Sequence, residues 1–492
     1  MRRSTAIVAL GLLGLAAVPL GVACGNTRTD ATSPRLNAAT VAATGLGAPE
    51  SLTPAASVAA TEPAPPPKPV CTAIDPEKYA LPPLDTKLVP APVGSIVDEA
   101  HDMDPFYARL ARLVRGNAKD HVRIAVYGDS NMTMDFITGA MRRMLQTKFG
   151  DGGHGFVALA RPWAWYHHLD VKMDLSDDRW RKIATSTNQV SDGHYGFANI
   201  AGESSTAGAW AWAANADASQ PIGKSFSKVD VFYMKGPMRG TFAIKVDGTK
   251  AKDVSTSSPE PKAAFEHFDL ADGPHKIECV VTGGAPVRLF GAALERDTPS
   301  ILVDSLGTGA LNYEQMTHVS PASRDPMLQR RKYDLVVFLL GTNLFAPAYH
   351  EPWMKKVIGG IEAAVPNTPI LVLSPPDIEL HSTDTHSDPR IVKLSAQLGD
   401  ISKRNGWAFW DFRAAMGGDM SMIRFAKNGL ANWDLVHLTK DGGAAMGQRL
   451  AHAIFAGFDG WVKAHPEAGC DDDRTPVWAE SHDATTSDAG SP

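Results

Sequence analysis

The chain has 492 residues, of which 44% are hydrophobic and 21% charged, and its formal net charge is −6. This is an ordinary globular balance. With no block of clustered Lys and Arg, it excludes nucleic acid as a partner. The length leaves room for about two or three domains.

Residues 1–24 read as an export signal: Arg2 and Arg3 precede an apolar run over 6–18, and small residues lead to Cys24. Gly21-Val22-Ala23-Cys24 resembles a bacterial lipoprotein cleavage box, in which the cysteine is lipidated and anchors the chain to a membrane. It departs from that box at Gly21, where Leu is usual. No later stretch is long and apolar enough to span a bilayer. Residues 25–85 follow as a linker, whose segment 26–69 is rich in Ala, Thr, Ser and Pro and has nothing with which to bury a core. Residues 466–492 read as a disordered tail. The four cysteines are Cys24, Cys71, Cys279 and Cys470. A lipidated Cys24 leaves an odd number, one of them unpaired. Cys71 and Cys470 flank the folded region and are placed to clip its ends in an oxidising compartment.

Between the tails, strand and helix patterns alternate. Residues 122–127 (VRIAVY) form a short apolar run typical of a buried strand. Gly128-Asp129-Ser130 comes next, and then an amphipathic helix running to Lys148. The runs 301–305, 334–340 and 369–373 repeat the strand pattern, and 407–412 supplies a fifth strand. Helical periodicity lies over 353–364, 391–404 and 442–458. This alternation predicts a parallel sheet sandwiched by helices. Residues 157–299 break the rhythm with short strands at 229–233, 241–246, 264–270, 276–281 and 287–294, separated by turn signals such as Asp247-Gly248 and Gly283-Gly284. That spacing predicts an antiparallel β-sandwich inserted between residues 86–156 and 300–465 of the α/β domain.

At a strand end, Ser130 is well placed as a nucleophile, with the helix behind it favouring developing negative charge. A serine hydroxyl needs a base and an orienting carboxylate. The spacing Asp-x-x-His occurs at Asp98/His101, Asp151/His154, Asp272/His275 and Asp434/His437, so position must decide between them. Only Asp434/His437 lies after the last strand and before the last helix, where a loop emerges at the same sheet edge as Ser130. Gly341-Thr342-Asn343 follows the strand at 334–340, where an amide can donate to an oxyanion. Gly307-Thr308-Gly309 follows the preceding strand and offers a backbone N–H.

Taken together, GDS after the first strand, glycine after the second, Gly-x-Asn after the third and Asp-x-x-His before the last helix resemble the four blocks of the SGNH (GDSL-type) hydrolase family. The resemblance covers about 119–148 and 300–458. It implies a flavodoxin-like α/β fold, with Ser130 as nucleophile and His437 as base oriented by Asp434. It also implies an oxyanion hole of Ser130, Gly309 and Asn343, with no metal or organic cofactor. Family members carry a longer Gly-x-x-Gly in the second block, which leaves Gly307 as the alternative to Gly309. The stretch 148–156 (KFGDGGHGF) and the inserted β domain are similar to exported esterases that remove O-acetyl groups from peptidoglycan, which implies an acylated glycan substrate.

Trp163, Trp165, Tyr166, Trp210 and Trp212 would stack on sugar rings if exposed and pack inward if buried. Asp135, Asp377 and Asp411, near the sheet edge, read as turn, cap or structural residues. Two rival readings remain. One is an acyltransferase using the same residues, with a sugar hydroxyl in place of water. The other is a non-catalytic lipoprotein that binds glycans through the inserted domain.

Overall fold

The structure, a computed structural model, describes residues 71–343 and 347–470. The stretch expected to be an export signal, with Cys24, lies outside the described residues. Five strands form a parallel sheet: β1 Val122–Gly128, β2 Ile301–Gly307, β3 Leu335–Leu339, β4 Ile370–Leu373 and β5 Ala408–Trp410, in the order β2-β1-β3-β4-β5. Every residue of β1 and β2 is buried, which is why these strands read as largely apolar runs, interrupted by Arg123 in β1 and Asp304 and Ser305 in β2. Alternate side chains serve two cores. Val122, Ile124 and Val126 pack with the helices Asp104–Arg115, Phe136–Phe149 and Lys440–Ala464. Ala125 and Tyr127 face the helices Pro347–Ala364 and Pro389–Asn405, in a core continuous with that of the inserted domain.

The inserted region builds two antiparallel sheets. One runs through 262–273, 226–235, 287–295, 200–204 and 181–184; the other through 171–175, 210–215, 276–283, 241–246 and 249–255. Tyr233 and Phe242 join them edge to face, with ring centroids 5.2 Å apart. The region begins slightly before 157, because Gly155–Val157 already pairs with Val287–Glu295.

Three local expectations are corrected. The helix after the nucleophile does not start at Ser130. A single 3₁₀ turn, Ser130–Met132, comes first, and the α-helix begins at Phe136. Asp135 separates them in a left-handed conformation (φ 58°) and forms a fully buried bidentate pair with Arg142 at 2.8 and 3.0 Å. The helix dipole therefore does not reach Ser130. The linker is packed before residue 86, since Ile74 and Tyr79 are buried and Tyr79 Oη donates to Asp459 at 2.8 Å. The chain is also still structured at Cys470, which is disulfide-bonded to Cys71 with Cα atoms 6.1 Å apart. Cys279 is free and buried. Among the described residues, no helix is long and apolar enough to cross a membrane.

Candidate active site

Parallel register brings the three strand ends together: Gly128 lies opposite Gly307 on one side and Leu339 on the other. Neighbouring strands run about 5 Å apart, so the segments 129–131, 308–309 and 340–343 leave the sheet side by side. The turn at Ser130 is tight, and the glycines make room for it. A Cβ on Gly128 would collide with the Met132 side chain, and one on Gly307 would sit 2.5 Å from the Met132 carbonyl carbon. Gly307 is therefore a packing residue. Gly309 faces open space, and its carbonyl accepts a 2.5 Å hydrogen bond from Ser186 Oγ of the inserted region. Among the described residues, neither the Ser130 nor the Gly309 backbone N–H has an acceptor.

Ser130 Oγ lies 2.7 Å from His437 Nε2, and His437 Nδ1 lies 2.8 Å from Asp434 Oδ2. Asp434 Oδ1 also accepts the N–H groups of Val436 and His437, each at 3.0 Å. Burial pushes this carboxyl up, but the His437 and Val436 hydrogen bonds outweigh it and hold Asp434 below the usual carboxylate range. An ionised carboxylate on Nδ1 fixes the tautomer that leaves Nε2 free to accept a proton. Asp129 is wholly buried, and burial raises its carboxyl against the opposing hydrogen bond of the Asn131 N–H. Asn343 Nδ2 donates to the Leu311 carbonyl at 3.3 Å, which leaves its second amide hydrogen for another acceptor.

The other three Asp-x-x-His pairs engage different partners. His101 faces Asp104, buried His154 lies 3.0 Å from His168, and His275 bonds Asp247 while Asp272 pairs with Arg296. Asp135, Asp377 and Asp411 hold structure: Asp377 accepts from Arg413, Ser387 and Ser421, and Asp411 caps the short helix Phe412–Met416. Of the five aromatics, Tyr166 is buried and Trp163, Trp210 and Trp212 are partly buried, whereas Trp165 is 59% exposed. Sequence reasoning missed Trp433, which is 64% exposed beside Asp434. It also missed Asn131, whose only sequence signal is that it follows Ser130.

No family model matches the chain, and no curated protein does. Among solved structures, a peptidoglycan O-acetylesterase is similar at a TM-score of 0.62 and 21% identity, covering 75% of this chain and all of its own. A putative GDSL-like lipase from Parabacteroides merdae aligns at a TM-score of 0.27 and 14% identity, over 32% of this chain and 74% of its own. A family two carbohydrate esterase from Cellvibrio japonicus aligns at 0.25 and 11%, over 59% and 99%. The first likeness bears on the fold, and the other two are too distant to add to it. The chain shares the fold of that O-acetylesterase, a parallel α/β sheet with a two-sheet β domain set between its first and second core strands.

Proposed function

We propose that the protein is an exported serine esterase that removes O-acyl groups, acetyl above all, from a cell-envelope glycan such as peptidoglycan. The observation that carries this reading is the continuous relay from Ser130 Oγ through the His437 ring to Asp434. Ser130 Oγ bonds to the ester carbonyl carbon as its proton passes to His437 Nε2. The oxyanion is held by the Ser130 and Gly309 N–H groups and the free Asn343 amide hydrogen. As the tetrahedral intermediate collapses, His437 gives its proton to the leaving sugar oxygen. Water, deprotonated by the same imidazole, then releases the acid from Ser130.

A glycan substrate is supported by the exposed faces of Trp433, beside Asp434, and Trp165. The His167 N–H lies 3.5 Å from the Thr133 carbonyl, which keeps the Trp165 segment next to the nucleophile turn. Indole faces are good stacking surfaces for sugar rings. The fold shared with a peptidoglycan O-acetylesterase is a further support. Export agrees with the apolar N-terminal run, and the Cys71–Cys470 disulfide suits an oxidising compartment. Membrane attachment would pass through Cys24.

The test has two arms. Hydrolysis of p-nitrophenyl acetate should fall by about 10⁴-fold or more in Ser130→Ala, and undiminished activity would end the triad reading. Mass analysis of acetylated muropeptides should show loss of acetyl groups with the wild type alone. Untouched muropeptides would overturn the substrate while leaving the esterase in place, and acetyl moved to a second glycan would mark a transferase.

A further inference from the structure

The imidazole of His437 is held from below by Asp434, but those contacts lie within its own loop and do not fix the loop relative to Ser130. Three side-chain hydrogen bonds link residues 434–438 to the nucleophile turn among the described residues. One is the Ser130–His437 bond, which chemistry must break and remake. Asn131 makes the other two: its Nδ2 donates to the Val436 carbonyl at 3.2 Å, and its Oδ1 accepts from the Leu438 N–H at 2.9 Å. These two peptide groups bracket His437. Asn131 is 7% exposed, and its backbone N–H donates to Asp129 Oδ1 at 3.1 Å.

We propose that Asn131 is a positioning residue that clamps the His437 loop to the nucleophile turn and sets the hydroxyl–imidazole distance. The proposal rests on the reading of Ser130 and His437 as nucleophile and base. Ser130 and Asn131 are consecutive, so any shift of the turn carries hydroxyl and clamp together, and the loop follows. The amide serves both bonds at once, because one end donates and the other accepts. Displacement of a catalytic group by about 1 Å costs on the order of 10²-fold in rate. Both bonds are made to loop backbone and none to a substrate group, so the clamp acts on turnover and leaves substrate affinity alone.

The experiment measures kcat and KM for p-nitrophenyl acetate, with thermal melting, in Asn131→Ala and in Asn131→Leu, which fills nearly the same volume without either bond. The expected result is a folded protein with kcat lowered about 10- to 100-fold and KM within about twofold of wild type. A kcat within about threefold of wild type in a folded variant overturns the clamp, as does a loss expressed mainly in KM. Failure of both variants to fold also overturns it, by making Asn131 a folding residue. Ser130→Ala, run alongside, separates the two claims. If it keeps activity, the catalytic reading fails; if it is inactive while the Asn131 variants are unimpaired, the clamp alone fails.

Discussion

Four histidines follow an aspartate at the same spacing, yet in only one pair do the two side chains meet. At Asp434, the turn bends through Leu435 in a left-handed conformation (φ 59°), with its side chain buried, and this brings the carboxylate under the ring three residues on. A second acidic cluster lies on the segment after β4. Glu379 is buried beside Asp377, and its Oε2 accepts the Ile423 N–H at 3.1 Å. Burial, then the Asp377 charge and a hydrogen bond to it, raise the Glu379 carboxyl to about 8. In the unfolded chain glutamate titrates near about 4.3. Between about pH 5 and 8 the unfolded chain has therefore released a proton that the folded one keeps, so stability falls as pH rises and levels off above about 8. Glu379→Gln, neutral throughout, should lose less melting temperature between pH 5 and pH 8.5 than wild type. Parallel declines in thermal melts would remove Glu379 from the pH response.

At the scale of elements, two glycines set the clearance around the nucleophile turn. Gly307 ends β2 under Met132, whereas Gly309 stands clear on the following loop, and a Cβ there would meet nothing within 4 Å. Gly307→Ala should push the nucleophile turn outward, costing about 1–3 kcal/mol by overpacking and slowing Ser130 labelling by a fluorophosphonate. Gly309→Ala should fold like wild type. Denaturant melts and labelling rates on the pair would check this, and equal behaviour would contradict it. The five core strands were legible because each is a short, largely apolar run. Several strands of the insertion were not. Thr249–Ser255 (TKAKDVS) is a sheet-edge strand exposed at six of its seven positions, and its lysines protect the edge from further pairing. The helix Pro321–Arg331 escaped notice because two prolines and a mostly polar sequence mask its period.

For the molecule as a whole, the insertion is fastened to the α/β body by buried charge. Glu295, at the end of an insertion strand, accepts from Arg123 of β1 at 2.8 and 3.1 Å and also pairs with Arg331. Arg331 in turn reaches Asp304 of β2, which also accepts the Tyr333 hydroxyl at 2.6 Å. Burial would raise the Glu295 carboxyl, but the two guanidinium groups hold it well below the usual carboxylate range. Glu295→Gln leaves two arginines short of their counter-charge, and breaking such a buried pair costs about 3–5 kcal/mol. The denaturation midpoint should drop accordingly, and a loss under about 1 kcal/mol would mean that the network contributes little. At the opposite end of β1 the insertion supports the candidate site, through Ser186 on the Gly309 carbonyl and Thr308 Oγ1 on the Ala198 carbonyl at 3.3 Å.

Sequence by itself determined the parallel sheet and the β insertion and pointed to Ser130, Asp434, His437 and Asn343 as candidate site residues, because buried strands and the loops that end them leave a local imprint. It did not decide which glycine packs and which stays open, where the helix after Ser130 begins, or that Asn131 spans the His437 loop. Each of these depends on side chains that are distant in sequence and compete for the same few ångströms. That competition is settled by packing, which local propensity does not encode.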